Sequence, residues 1–282
     1  MKKLFTSFLL LATTMTLQAQ EFYLKAGVGY AFPHAGQAVT ESGIPYSGKA
    51  QYVSGSTTPA TFEAKKISFA PSVPVSIGAG YFFTKNIGLE VNVIIGAGTK
   101  EHTSSITFPS STQAGINITQ VQNLKAATPI LAAPSLVLRS KGQKAYIYTR
   151  AGIVLPISVR IKETFTQTHT HIASTAKTKY EGAYETKTMF SIGYSGALGA
   201  SLKVVEKVRV FGELALQSMS VYAKERELTS LTQGGANVIG QVLPSARVTT
   251  YKRNSNTGGN DISFAYPFSN FGFNVGLSMD LN

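Results

Sequence analysis

The sequence predicts an all-β chain, a transmembrane antiparallel up-and-down β-barrel most simply built from eight strands, on three observations. Long segments alternate apolar and polar side chains with a period of two, which gives each strand one greasy and one wet face. Short turns and long polar connections join these segments in strict alternation. A leader of the export type stands ahead of the first strand, and the chain has no cysteine.

Residues 1–19 read as a signal peptide: Lys2 and Lys3, an apolar run from Phe8 to Ala12, and a cleavage site near Ala19. Residues 20–282 are then one barrel domain. Without cysteine, a lipid-modified N-terminus, disulfides and thiolate metal sites are all excluded. No later stretch reaches the roughly 18 apolar residues of a spanning helix. A membrane location therefore requires strands closed on themselves, the other way to satisfy every backbone group in lipid.

The first strand carries Phe22, Leu24, Ala26, Val28, Tyr30 and Phe32 on one face, and the connection His34–Lys66 follows. The second runs from Ile67 to Phe83. After the turn Thr84-Lys85-Asn86, the third presents Ile87, Leu89, Val91, Val93, Ile95 and Ala97. A polar connection leads to the fourth and least regular strand, where Ile130, Ala132, Pro134, Leu136 and Leu138 share a face but Leu131, Ala133 and Val137 blur the other. Ser140–Lys144 turns into the fifth, Ala145–Val159, with Tyr146, Tyr148, Arg150, Gly152 and Ser158 inward. After the connection Arg160–Lys187 come the sixth, Phe190–Val204, a turn at Val205–Lys207 and the seventh, Val208–Gln217. The last connection spans Tyr222–Ser269, and the eighth strand is Phe271–Leu281. Pro71, Pro74, Pro134 and Pro156 fall inside these strands although proline cannot donate to a ladder. The last connection has room for another hairpin, around Arg247–Lys252 or Ile262–Tyr266, which makes ten strands the alternative.

With its leader, its eight alternating segments, an inward glutamate soon after a turn in Ile-Gly-Leu-Glu90 and Val-Phe-Gly-Glu213, and its alternating C-terminus, the chain resembles the OmpA/OmpX/OmpW-like eight-stranded outer-membrane barrels of the porin family. The resemblance covers nearly all of the mature chain. It implies a bacterial outer-membrane protein with short periplasmic turns, long extracellular loops and both termini in the periplasm. Members of the family commonly finish on an aromatic residue, where this chain has Leu281-Asn282.

The three-residue turns set two registers, with Phe83 opposite Ile87 and Val204 opposite Val208. Counted along the ladders, Glu90 then faces Gly80 and Glu213 faces Gly199, so each inward carboxylate has a glycine opposite that leaves it space. Buried carboxylates need partners. Lys25, Arg150, Lys203 and Arg209 point inward near the same end, with Asp280 available from the last strand. A charge network of Lys25, Glu90, Arg150, Lys203, Arg209, Glu213 and Asp280 is expected to plug the lumen, with Asp280 beside Arg209 and Lys25.

Outside the lumen, His169 and His171 alternate on one strand face, a weak candidate for zinc or copper because no third ligand is set by the sequence. No nucleophile elbow or phosphate-binding loop occurs. Neither an enzyme nor a cofactor is indicated. The formal charge of +12 falls to +10 once Lys2 and Lys3 leave with the leader, and it is spread over four connections. Nucleic-acid binding, which needs a concentrated patch, is not expected. Expected partners are outer-membrane lipid and lipopolysaccharide, the barrel-assembly machinery through Phe271–Leu281, and a host or cell-surface partner for the loops. The functional expectation is a non-enzymatic surface scaffold, adhesion or envelope-integrity protein with a plugged lumen. A barrel passing small solutes or apolar molecules is the alternative, and an outer-membrane hydrolase or acyltransferase a third reading.

Overall fold

The computed structural model describes residues 21–34, 48–52, 59–65, 67–110, 115–174, 176–253 and 261–281, and the leader with its cleavage site lies outside them. β1 (Glu21–Pro33) leads to the hairpin β2 (Gly48–Tyr52) and β3 (Pro59–Ala64), and then β4 (Pro71–Phe82) and β5 (Ile87–Thr99) meet across a tight turn. β6 (His102–Pro109) and β7 (Ile116–Ala126) form another hairpin before β8 (Ile130–Arg139) and β9 (Ala145–Ser158). β10 (Arg160–His171) and β11 (Lys177–Thr188) precede β12 (Gly193–Lys203) and β13 (Val208–Ser218). The last connection holds β14 (Ser220–Gln233), β15 (Ala236–Asn237), β16 (Val248–Lys252), β17 (Asp261–Ile262) and β18 (Ala265–Pro267), and β19 (Asn270–Asp280) follows.

Eight of these strands close on themselves in the order β1, β4, β5, β8, β9, β12, β13, β19, with β19 paired back to β1 from Tyr23–Asp280 to Pro33–Asn270. The ten-strand alternative is thereby corrected. Strands do form at 248–252, 261–262 and 265–267, but they pair with β14 and with each other outside the barrel. The turns are built from their own side chains. Thr84 Oγ1 accepts from the backbone N–H groups of Asn86 and Ile87 (3.2 and 2.9 Å), and Asn86 Nδ2 donates to the Arg139 carbonyl on the next strand (2.8 Å).

On the outer wall the alternation leaves Leu24, Val28, Leu89, Val91, Leu198, Leu214, Phe273 and Val275 exposed, with no charged side chain among the outward positions of these strands. From Ile87 to Ala97 this face runs about 33 Å along the strand, or about 25 Å of height at ordinary barrel tilt, which is the thickness of a membrane-facing apolar band. Aromatic contacts lie near both edges: Phe22 with Tyr81 at the turn end, and Phe32 stacked on Phe271 at the other.

Two departures from the expected strands share one cause. Ile67 to Ala70 leave the ladder ahead of β4, and Phe69 and Ala70 are fully buried. On β8 the residues that blurred the pattern, Leu131, Ala133 and Val137, are all buried inward. The interior at these points is packed protein, so both faces of the strand are apolar.

The described residues of the four long connections are largely strand. Above the barrel they assemble into an eleven-stranded sheet whose main path runs β17, β16, β14, β11, β10, β7, β6, β2, β3. β10 pairs with β11 and β7 over nearly its whole length, so the wall of the barrel continues upward as a hairpin sheet.

Candidate functional site

Two rows of the ladder carry the interior chemistry, and both begin with the same three residue types and end on a small polar one. Across β1, β4, β5 and β8 the row is Tyr23, Gly80, Glu90, Ser135. Across β9, β12, β13 and β19 it is Tyr148, Gly199, Glu213, Asn274. One cation follows each tyrosine by two residues on the same face, Lys25 on β1 and Arg150 on β9. The two half-barrels therefore present matching tyrosine, carboxylate and cation sets to each other across the lumen.

The four charges form a closed square. Arg150 bridges both carboxylates, with Nη1 donating to Glu90 Oε1 (3.0 Å) and Nη2 to Glu213 Oε1 (2.6 Å). Lys25 Nζ lies 3.0 Å from Glu213 Oε2 and 3.6 Å from Glu90 Oε1. Tyr23 Oη donates to Glu90 (2.6 Å) and Tyr148 Oη to Glu213 (2.8 Å), while Asn92 and Asn274 add amide donors at 2.6 and 3.0 Å. Glu90 is 3% exposed and Glu213 6%, so each carboxylate trades water for four partners. A buried ion pair is stable only when its remaining hydrogen-bonding capacity is filled in this way.

The glycines serve a purpose different from the one expected. The registers Gly80–Glu90 and Gly199–Glu213 are as counted from the turns. The space over each glycine, however, is taken by a phenol ring. A side chain at Gly80 would collide with the Tyr23 ring, and a Cβ at Gly199 would come within 2.6 Å of Tyr148 Cζ. Alternation places Tyr148 inward, but the sequence reading names neither tyrosine and neither asparagine as a partner of the carboxylates. The available signal was a repeat, Tyr23-Leu24-Lys25-Ala26-Gly27 against Tyr148-Thr149-Arg150-Ala151-Gly152.

Of the seven residues expected in one network, the structure brings together Lys25, Glu90, Arg150 and Glu213. Arg209 and Asp280 form a separate pair at the turn-end mouth, Nε to Oδ2 at 3.2 Å, and Lys25 is not part of it. Lys203 is corrected: it shares the inward parity of Ser201 but stands exposed on the rim as the last residue of β12, too far along the strand to reach the carboxylates. Arg139, unforeseen, stacks on Phe82 at 3.8 Å and reaches Glu21 at 2.6 Å across the same mouth.

Two cavities border the square. The one toward the turns has about 20 Å³, between Tyr23, Phe82, Tyr146 and Ser201, and the one on the other side about 50 Å³, near Asn270 and Asn274. Such volumes hold one to a few waters. Above the second cavity the mouth is filled by a hydrophobic core in which Phe69, Leu131, Val154, Ile161, Val221, Tyr266 and Phe268 are almost fully buried. Phe69 N–H donates to the Pro267 carbonyl (2.8 Å), which ties two connections together over the lumen.

Above this core the buried Glu163 pairs with the half-buried Arg226 at 2.6 Å, with the guanidinium 3.8 Å over Tyr184. Burial raises the Glu163 carboxyl above the ordinary range, and the Arg226 charge offsets this only in part. His169 and His171 lie on one face of β10, His169 half-buried with its ring 4.9 Å from Tyr180 and His171 exposed. No group of three metal-ligating side chains occurs among the described residues.

Closed antiparallel ladder, apolar outer band and filled polar interior define an eight-stranded transmembrane β-barrel of the outer-membrane type. The sequence matches no family model and no curated protein. Among solved structures it is similar to a major outer membrane protein of Thermus thermophilus (10% identity, 94% of this chain and 100% of that one, TM-score 0.38). It is also similar to OprG of Pseudomonas aeruginosa (11%, 95% and 99%, 0.37) and to CarO2 of Acinetobacter baumannii (12%, 92% and 99%, 0.27). The class rests on the chain's own ladder and not on these distant likenesses.

Proposed function

We propose that the protein is a non-enzymatic integral barrel of a bacterial outer membrane, with its turns in the periplasm and its eleven-stranded sheet presented at the cell surface, and that it works as an anchored scaffold with a closed lumen. The observation that carries this reading is the double closure. The charge square blocks the middle of the barrel, and the Phe69–Tyr266–Phe268 core blocks the mouth under the sheet. Each carboxylate of the square already holds four partners, so neither is left to exchange a proton with a substrate.

Support for contact with outer-leaflet lipopolysaccharide comes from the outward face of the wall. Beyond the apolar Ile153 and Ile157 of β9 the same face continues with exposed Arg160 and Lys162, and Lys125 is paired directly beside Lys162. Glu185 stands on the other side of Lys162 and bridges Arg160 at 2.6 Å, and phosphate groups at the membrane edge would supply the counter-charge that Lys125 still lacks. The closing strand β19 would be the segment handed to the assembly machinery.

Conductance in planar bilayers tests the scaffold reading. The wild-type protein is expected to pass no large steady current, and a sustained open channel would favour the transport barrel instead. Failure of the expressed protein to fractionate with outer membranes would remove the location.

A further inference from the structure

The turn-end mouth holds a second constellation that the charge square does not use. Lys144 in the turn just ahead of β9, Lys203 at the end of β12 and Arg209 on β13 lie side by side: Lys203 is paired with Arg209, and its N–H donates to the Lys144 carbonyl at 2.7 Å. Adjacent strands are about 4.8 Å apart, so three cationic side chains emerge from the backbone within about 10 Å. Like charges directly opposite across a ladder repel. Asp280 is the one carboxylate among the described residues that pairs with this row, through Arg209, so three positive charges meet one negative charge.

Two unfilled donors sit in the same place. Arg209 is 8% exposed, yet its Nη1 has no hydrogen-bond partner, although Nε is held by Asp280 and Nη2 by the Gln143 carbonyl at 3.3 Å. Ser201, the next inward residue above Lys203, is also buried with its hydroxyl unpartnered. A buried guanidinium N–H left open in a well-connected interior is unusual and points to an acceptor from outside the chain.

We propose that this mouth is a binding site for a phosphate group. The excess of two positive charges matches a phosphate better than a single carboxylate, and the planar Arg209 fork with two flexible lysines suits tetrahedral oxygen acceptors. The cavity of about 20 Å³ that Ser201 lines admits one oxygen and not a whole phosphate, so the anion sits in the mouth between the exposed lysines, and the buried Arg209 and Ser201 side chains turn toward one of its oxygens. Glu90 lines the far side of that cavity, but its charge is already matched by Arg150 and Lys25. The phosphate is either that of a phospholipid headgroup from the near leaflet or a soluble phosphate of the same compartment.

The test uses the full mature protein folded in a maltoside detergent, which contains no phosphate, at low ionic strength. Inorganic phosphate is titrated by calorimetry, and phosphatidylglycerol in mixed micelles is followed by native mass spectrometry. Saturable one-to-one binding is expected in at least one arm, and the arm that binds names the source. Lys144→Gln with Lys203→Gln is expected to weaken it at least tenfold while the heat-modifiable folded band is retained. Lys85→Gln, in a neighbouring turn but outside the row, is expected to leave it unchanged. The site is overturned if neither probe binds saturably, or if Lys85→Gln weakens binding as much as the double variant does.

Discussion

Tyr23 and Tyr148 show how one hydroxyl decides whether a buried carboxylate is tolerable. Each donates to a glutamate that has little access to water, and each occupies the volume that a glycine on the next strand leaves open. Tyr23→Phe is expected to cost about 1.5–3 kcal/mol, the value of a hydrogen bond to a charged partner. Gly80→Val should also destabilise the barrel, because the new side chain pushes the Tyr23 ring off Glu90. The same change made in a Tyr23→Ala background should cost much less, since the ring it displaces is gone. Urea midpoints of the folded band on unheated gels measure both. Equal costs in the two backgrounds would show that Gly80 serves the ladder and not the tyrosine.

β10 joins the membrane-facing wall to the outer sheet, and its Glu163 makes the sheet's cohesion depend on pH. The carboxyl is raised in the folded state by burial, against the opposing pull of Arg226. A raised acid stabilises the fold through its neutral form. That contribution is therefore complete below the unfolded value of about 4.3 and is lost as pH rises through the higher folded value. Amide exchange of β10 and β11, corrected for intrinsic rates, should show protection in the wild type falling with rising pH above 4. Glu163→Gln, which cannot ionise, should flatten that dependence. A wild-type profile as flat as that of the variant would mean that the ion pair, and not burial, governs the group.

In the closed barrel proposed above, the two levels of closure rest on unlike physics and are separated by a small cavity near Asn270 and Asn274. The square is electrostatic and balanced, two cations against two carboxylates, and removing one partner of such a buried pair costs about 3–5 kcal/mol. The mouth is closed by packing, where truncating one large aromatic costs about 3–5 kcal/mol and leaves a void. Because the closures act in series, Glu90→Gln with Glu213→Gln is expected to leave the steady bilayer current near zero. Adding Phe69→Ala and Phe268→Ala should then open a measurable conductance. Large currents from the carboxylate variant alone would show that the aromatic core does not seal the lumen.

The eight strands, their order and the pairs Gly80–Glu90 and Gly199–Glu213 were legible in the chain, because a period of two and three-residue turns leave the ladder almost no freedom. The square was legible in part, since alternation shows which residues face inward. It does not show how far along the lumen each one reaches, and so Lys203, inward by parity, stands exposed at the rim. Tertiary structure alone decided that the polar connections fold into a sheet, and that Phe69, Tyr266 and Phe268 return to stop the mouth. Tyr266 and Phe268 sit in a segment without sustained periodicity, and Phe69 falls in a stretch whose alternation reads as barrel wall. Their burial comes from contacts between connections distant in sequence, to which local pattern is blind.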